Sequence, residues 1–433
     1  MRVAAFAVVP MVMLLSGALC TSGTAYAQAS GIDAARTAAR ANPTDPALAL
    51  ALGRALRRAG QPIDALAELR RGIGVSAARL DVLTQLHWEV ARVHLDRHDF
   101  AQASTACQVL GKLPGAAAEG HACAADAQLG WLRSTEALRE AGAALARDPH
   151  CYEGKLAEAR AEEYALDVAR SEAAYRTASG WRPDASEPHT GLGRLLVHDG
   201  RKDDGVAELR KALALDPNAP DALFELGIAL APSAESASLL EHATRERPTF
   251  AEAWLALGTQ QLAAGRVTEA HKAAAAALRS DASSVGPHVL AGKVALAEGK
   301  ADEAIREGES ALKIVANTAA AKLLVADGNA KKGEIDAALE AYQAAWGLDH
   351  GDPTPLVHAA EACHAAARDT SARAFALKAT QEFPKWGPAW AALGDALVAQ
   401  GERAAAKDAY QKALAGEGPV DQDAVRRKLG ALP

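Results

Sequence analysis

Apolar and minimal side chains recur along the chain in paired amphipathic stretches, and Ser186 to Ala219 (SEPHTGLGRLLVHDGRKDDGVAELRKALALDPNA) carries the pattern most plainly. Leu192, Gly193 and Leu196 share one face of a first helix, which Gly200 interrupts. Gly205, Leu209 and Ala212 share one face of a second, which Asp216-Pro217 stops. The spacing predicts two helices joined by a tight turn. Gly227 lies 34 residues beyond Gly193, and equal steps backwards reach Ala159, Ala125 and Ala91. A fixed period of this length predicts a stack of helical hairpins.

The period divides the chain. Residues 28–45 hold a short helix from Ile32 to Ala41, expected to cap the stack. Residues 46–219 contain units starting at Pro46, Thr84, Ala118, Tyr152 and Ser186, with four additional residues, Leu80 to Leu83, ahead of Thr84. Residues 220–250 form a unit three residues short, whose first helix Pro232 should end early. Residues 251–420 resume at Ala251, Val285, Ala319, Pro353 and Gly387, and residues 421–433 close with a polar capping helix. The result is about eleven repeats. Two helices approach closely only where a side chain is absent or a methyl. The eighth place of every unit obeys that rule: Gly53, Ala91, Ala125, Ala159, Gly193, Gly227, Gly258, Gly292, Ala326, Ala360 and Gly394.

Trp254-x-x-Leu257-Gly258, Trp390-x-x-Leu393-Gly394, Tyr342 and Tyr410 at a recurring aromatic place, and Pro149, Pro183, Pro217 and Pro384 at the closing turns give the chain its resemblance to the tetratricopeptide repeat (TPR) family, in its exported bacterial form, from about Pro46 to Pro419. The resemblance implies an all-α, right-handed superhelical solenoid of antiparallel helix hairpins. It also implies a concave face that binds peptides or protein segments, on a scaffold that does no chemistry.

Composition agrees with closely stacked helices: aromatic residues are 4% of the 433. A net charge of −7 supplies no broad basic surface, so nucleic acid is not an expected partner. Arg2, the apolar run Val3 to Leu15 and Ala25-Tyr26-Ala27 read as a signal peptide over residues 1–27, cleaved after Ala27. A retained anchor is the alternative, but the run is short for a bilayer and contains Pro10. The residues before Cys20 lack the arrangement of a lipid-modified cysteine. The mature chain is therefore expected in the periplasm or secreted, without stable membrane insertion.

No phosphate loop, nucleophile elbow or H-E-x-x-H motif is present, so neither an enzyme nor a cofactor is expected. His94 and His98, four apart, lack a third ligand, and Cys363 between His358 and His364 occupies a core place; no metal site is expected. The mature chain holds Cys107, Cys123, Cys151 and Cys363, with three pairings open if all were joined. Cys107 and Cys123 lie about equally far from the turn between adjacent antiparallel helices, which places them at one height for a disulfide; buried free thiols are the alternative.

In the resembled family the second, fifth, ninth and twelfth places of each first helix face the groove. The fifth is mostly apolar, including Leu50, Trp88, Leu156, Phe224 and Val357, which disfavours a lysine clamp for carboxylates. The ninth reads Arg54, Arg92, Asp126, Arg160 and Arg194 early, and Asp327, Glu361 and Asp395 late, a groove expected to be basic and then acidic. Glu89, Asp96 and Glu163 stand three or four residues from arginines as local neutralisers. Arg54, Trp88, Arg92, Leu156, Arg160 and Arg194 are thus the candidate partner-binding residues, suited to an acidic segment with apolar side chains. The functional reading is a non-enzymatic scaffold of the bacterial envelope that captures protein segments for assembly, secretion or export. The alternative is a polysaccharide-export factor, for which stacked tryptophans would be the sign.

Overall fold

The computed structural model describes residues 32–76 and 79–432; the expected leader, its cleavage point after Ala27 and residues 28–31 of the expected cap lie outside them. The regular structure among the described residues is helical, in two units. The unit ending at Pro248 opens with α1 (residues 32–41). It continues as the hairpins α2 (Pro46–Arg58)/α3 (Pro62–Val75), α4 (Leu80–Asp96)/α5 (Phe100–Gly111), α6 (Ala117–Gly130)/α7 (Ser134–Arg147), α8 (Tyr152–Tyr164)/α9 (Val168–Trp181), α10 (Glu187–His198)/α11 (Lys202–Leu215) and α12 (Pro220–Ala229)/α13 (Ala234–Glu246). The unit beginning at Thr249 comprises α14 (Ala251–Ala263)/α15 (Val267–Ser280), α16 (Val285–Ala297)/α17 (Ala301–Ile314), α18 (Ala319–Lys332)/α19 (Ile335–Leu348), α20 (Thr354–Ala365)/α21 (Asp369–Glu382), α22 (Gly387–Ala399)/α23 (Arg403–Ala415) and α24 (Gln422–Gly430).

Small residues set how near the helices come. At the twentieth place Ala65, Ala103, Ala137, Ser171, Ala270 and Ala304 are fully buried. A Cβ added to Gly193 on α10 would lie 2.9 Å from the Gly205 carbonyl oxygen on α11. Polar residues then fix each hairpin in register. The fourth and twenty-third places pair in three hairpins, as His121–Glu140 (2.8 Å), His189–Glu208 (2.7 Å) and His288–Glu307 (2.7 Å). Aspartates end several second helices by accepting the N–H two residues on: Asp148 from His150, Asp216 from Asn218 and Asp281 from Ser283.

The fifteenth place is the hairpin turn and takes a left-handed backbone, which glycine adopts without a Cβ clash. Gly60, Gly200, Gly265 and Gly401 have φ of 69, 82, 72 and 80° there. His98, Leu132, Leu166 and Ala367 hold the same region at 58, 59, 61 and 55°. The four residues Leu80 to Leu83 add a turn to α4, which is 17 residues long against 13 for α2. In the short unit α12 has 10 residues, and Ala231–Pro232 follows as a cis peptide.

Cys107 on α5 and Cys123 on α6 are joined, with Cα atoms 5.3 Å apart. The two backbones nearly touch: a Cβ on Gly120 would lie 2.2 Å from Gly111 Cα. Cys151 and Cys363 are buried free thiols. His94 lies 3.7 Å from Asp99, His358 bonds Asp327 and His364 lies 3.4 Å from Asp369. Among the described residues no group of three His, Cys, Asp or Glu is placed to hold a metal ion, and no helix is long and apolar enough to cross a membrane.

Candidate binding groove

The first helices of the unit ending at Pro248 line two adjoining hollows. One, of about 620 Å³, takes Arg54, Trp88, Arg92, Glu119, Tyr152, Leu156, Arg160 and Glu187 among its walls. The other, of about 370 Å³, runs from Arg57 on α2 past Arg160 and Arg194 to Arg247 after α13. Of the six candidate residues, the first hollow brings together Arg54, Trp88, Arg92, Leu156 and Arg160, and the second places Arg194 with Arg92, Leu156 and Arg160.

The arginines do not form a bare cationic row. Arg54 Nε donates to Glu89 Oε1 (2.9 Å) and Arg57 Nε to Glu89 Oε2 (3.0 Å), while Arg57 Nη1 donates to Asp96 (2.7 Å). Arg160 pairs with Asp126 at 2.9 Å. Arg194 grips Glu163 through two bonds of 2.9 and 2.7 Å, and Tyr175 donates its hydroxyl to the same carboxylate. Neutralisation therefore runs mainly between hairpins, which corrects the local assignment for Glu163 and Asp96, while Glu89 keeps a local ion pair with Arg92 at 4.0 Å. Glu163 serves Arg194 of the next hairpin instead of Arg160, and Asp96 serves Arg57 of the preceding one instead of Arg92. The physical reason is reach: first helices of neighbouring hairpins lie side by side, and a guanidinium spans that gap in bidentate geometry.

Glu89 is the junction. Its side chain is 3% exposed, and burial alone would raise its pKa; Arg57, Arg92 and Arg54 reverse this and hold it below the ordinary glutamate value. Both of its oxygens are taken, so Arg92, 4.0 Å away, keeps donors to spare. Beside Arg194, Glu225 lies 3.9 Å from the guanidinium with its carboxyl pushed up to about 7. Burial is the main cause, and Asp221 and Glu163 add to it.

Three polar atoms on the walls of the larger hollow are buried without a hydrogen-bond partner: the Tyr152 hydroxyl, Arg160 Nε and Glu119 Oε2. Tyr152 is 6% exposed, and the Arg182 guanidinium covers its ring at 4.0 Å. The fifth places divide. Trp88 and Leu156 line the hollow, Leu156 while as buried as Leu50 at 6%, whereas Leu50, Ala122 and Val357 are buried in the helix packing and line neither hollow. Sequence reasoning missed Tyr152 and the second-place carboxylates Glu119, Glu153, Glu187 and Asp221. The signal was available, since the second place was already assigned to the groove. With Glu119, Glu153 and Glu187 on the walls beside Asp81, Glu89 and Asp126, acids outnumber the four arginines of the larger hollow, and the expectation of a basic groove is corrected there; the smaller hollow keeps a slight excess of arginines over acids.

In the other unit the ninth-place acids are also engaged. Asp327 accepts from Tyr342 (2.7 Å) and bonds His358 (2.8 Å). Asp395 accepts from Tyr410 (2.7 Å) and Lys428 (2.7 Å). Glu361 has its carboxyl raised by partial burial and by Asp395 and Asp327.

Paired helices, small residues at fixed places, a left-handed fifteenth residue and a groove walled by first helices define a helical-hairpin repeat protein. Models of the tetratricopeptide repeat match residues 156–220, 190–231, 233–287 and 387–415, and the chain is a tetratricopeptide repeat protein. It is similar to the heat-shock protein cognate (HSC) co-chaperone sgt12 of Aspergillus fumigatus, 32% identical over 105 residues, or 24% of this chain. The match spans 31% of that relative's length. Among solved structures, a chain of the APC/C hetero-tetramer Cut9–Hcn1 aligns with TM-score 0.52 and 12% identity over 86% of this chain and 93% of its own. Yeast Tom70 aligns with TM-score 0.43 and 14% identity over 94% and 92%. The first of these likenesses shows the shared all-α repeat fold.

Proposed function

We propose that the protein is a non-enzymatic scaffold that holds a segment of another protein in the groove of its first unit, and that it works in the cell envelope. The observation that carries the groove reading is the set of buried, unpartnered atoms in one hollow, the Tyr152 hydroxyl, Arg160 Nε and Glu119 Oε2, beside Trp88 and Leu156. Donors and acceptors left unpaired at a cost find partners in a bound chain. The co-chaperone character of the similar fungal protein supports a protein partner. The leader-like N-terminus supports export, and so does the Cys107–Cys123 bridge, since such bonds persist in oxidising compartments. A glycan ligand is less well supported, because Arg182 covers the Tyr152 ring and leaves Trp88 without a second free stacking face.

The test is affinity capture from the native envelope fraction with wild type, Tyr152→Phe and Trp88→Ala. Proteins retained by wild type should fall about tenfold with Trp88→Ala. Identical captures by all three folded proteins would remove this groove as the binding site. An N-terminal sequence of the exported protein starting elsewhere than residue 28 would remove the cleavage assignment.

A further inference from the structure

Consecutive hairpin turns of the first unit carry large apolar side chains into solvent. Trp131 is 36% exposed, Leu132 75%, Tyr164 54% and Leu166 86%. The apolar strip reaches back to the preceding turn, where the Phe100 ring lies 6.2 Å from Trp131 and 5.8 Å from His98. Leu132 and Leu166 occupy the left-handed fifteenth place, at φ 59 and 61°, where most other turns use glycine. A leucine in that backbone is strained, and one that projects into water gains little packing within its own chain in return. Clustered apolar surface maintained against such a cost marks a contact with something else.

The charges on this edge point to an occupant. Arg97 and Arg133 flank the strip; Arg133 stacks over Trp131 at 5.2 Å, and neither arginine has a carboxylate within ion-pair distance among the described residues. Asp99 and Asp167 are turned to their own helix starts, accepting from the N–H of Gln102 and Arg170, and Arg170 is paired with Asp167 and Glu162. Glu136, in the first turn of α7, and the partly exposed Asp99 and Asp167 are the acids to set against Arg97 and Arg133, whose guanidiniums are charges of the edge left without an ion-pair partner among the described residues. None of these turn residues lines either hollow of the groove.

We propose that this turn edge is an interfacial contact site for an anionic lipid bilayer. Leu132 and Leu166 enter the boundary between headgroups and acyl chains, Trp131 and Tyr164 sit at headgroup level, and Arg97 and Arg133 meet lipid phosphates. The side chains project from turn tips and enclose no pocket, a shape suited to a deformable lipid surface. Exposed leucine, tryptophan, tyrosine and arginine together form the composition that partitions to that boundary. The contact is peripheral and leaves the groove open.

The test is co-sedimentation of the full chain with phosphatidylcholine vesicles, with and without phosphatidylglycerol. Leu132→Gly with Leu166→Gly is the informative variant, because glycine relieves the left-handed strain and the chain stays folded, while any contribution of the leader is common to both proteins. Wild type should bind the phosphatidylglycerol vesicles, and the double variant should bind them about tenfold more weakly or worse. Arg97→Gln with Arg133→Gln should lose the preference for the anionic lipid. Equal binding by wild type and the double glycine variant overturns the proposal. So does absence of vesicle binding with self-association, seen by light scattering, that the glycine variant abolishes, which would assign the strip to a second copy of the chain.

Discussion

Replacing Gly193 and Gly142 with alanine, one at a time, isolates the close approach that organises each hairpin. Both glycines lie inside helices, α10 and α7, so both gain about 1 kcal/mol of intrinsic helix preference from the methyl. That gain cancels in the comparison. At Gly142 the new Cβ meets nothing within 4 Å, and Gly142→Ala should raise stability by about that amount. At Gly193 it lies 2.6 Å from Leu209 Cγ and 2.9 Å from the Gly205 carbonyl oxygen. The leucine can change rotamer, but the carbonyl belongs to the facing backbone, so α10 and α11 must separate. Overpacking of this kind costs about 1–3 kcal/mol, which sets the expected gap between the two variants. Urea unfolding followed by far-UV circular dichroism reads the gap. Amide exchange assigns it to α10 and α11, because a repeat array unfolds by neighbouring segments. If Gly193→Ala is as stable as Gly142→Ala, the eighth place does not control helix approach and the register of the repeats is wrong.

Glu225, with its carboxyl up at about 7 from an unfolded value of 4.5, binds more protons folded than unfolded between those values. Its contribution is therefore lost as pH rises through that window, by roughly 1–3 kcal/mol. Glu225→Gln should flatten the fall in thermal midpoint over the same window, and an unchanged pH profile would contradict the burial of this group. The Cys107–Cys123 bridge closes a sequence separation of 16, so reduction, or the double alanine variant, should lower stability by about 2–3 kcal/mol, read as the urea midpoint with and without reductant. Two alkylatable thiols at these positions in the untreated protein would show that the bond is not formed.

The repeat was legible because its determinants lie at fixed places within one helix pair. Ala91, Ala125, Gly193 and Ala326 are small because a facing helix occupies the space, and that requirement recurs every period. The turn chemistry was only half legible. Gly60 and Gly200 announce a left-handed residue, but Leu132 and Leu166 hold the same backbone with no local signal, so only the register exposes them. Leu80 to Leu83 stood out as extra residues, and their helical character extends α4 by one turn. The groove's electrostatics were less accessible, because its inter-hairpin pairs join residues 31 to 39 apart, such as Arg194 with Glu163 and Arg57 with Asp96. A search for neutralising charges three or four residues away cannot find them.

Those inter-hairpin pairs constrain what the proposed groove can hold. Arg54 and Arg57 occupy Glu89, Arg160 holds Asp126 and Arg194 holds Glu163, so an acidic segment would have to compete with carboxylates already in place. Removing one member of such a half-buried pair strands its partner, so these contacts favour staying intact when a ligand enters. The capacity left over is mixed: spare donors on Arg92, an unpaired donor at Arg160 Nε, an unpaired acceptor at Glu119 Oε2, and a Tyr152 hydroxyl that can do either. A string of carboxylates satisfies only the donors. A peptide backbone offers an N–H and a C=O at every residue and satisfies both, while Trp88 and Leu156 take an apolar side chain. The groove is therefore better matched to an extended segment read through its main chain than to a run of acidic side chains. On that reading, raising the salt concentration should weaken capture only modestly, because little of the binding would rest on exposed charge.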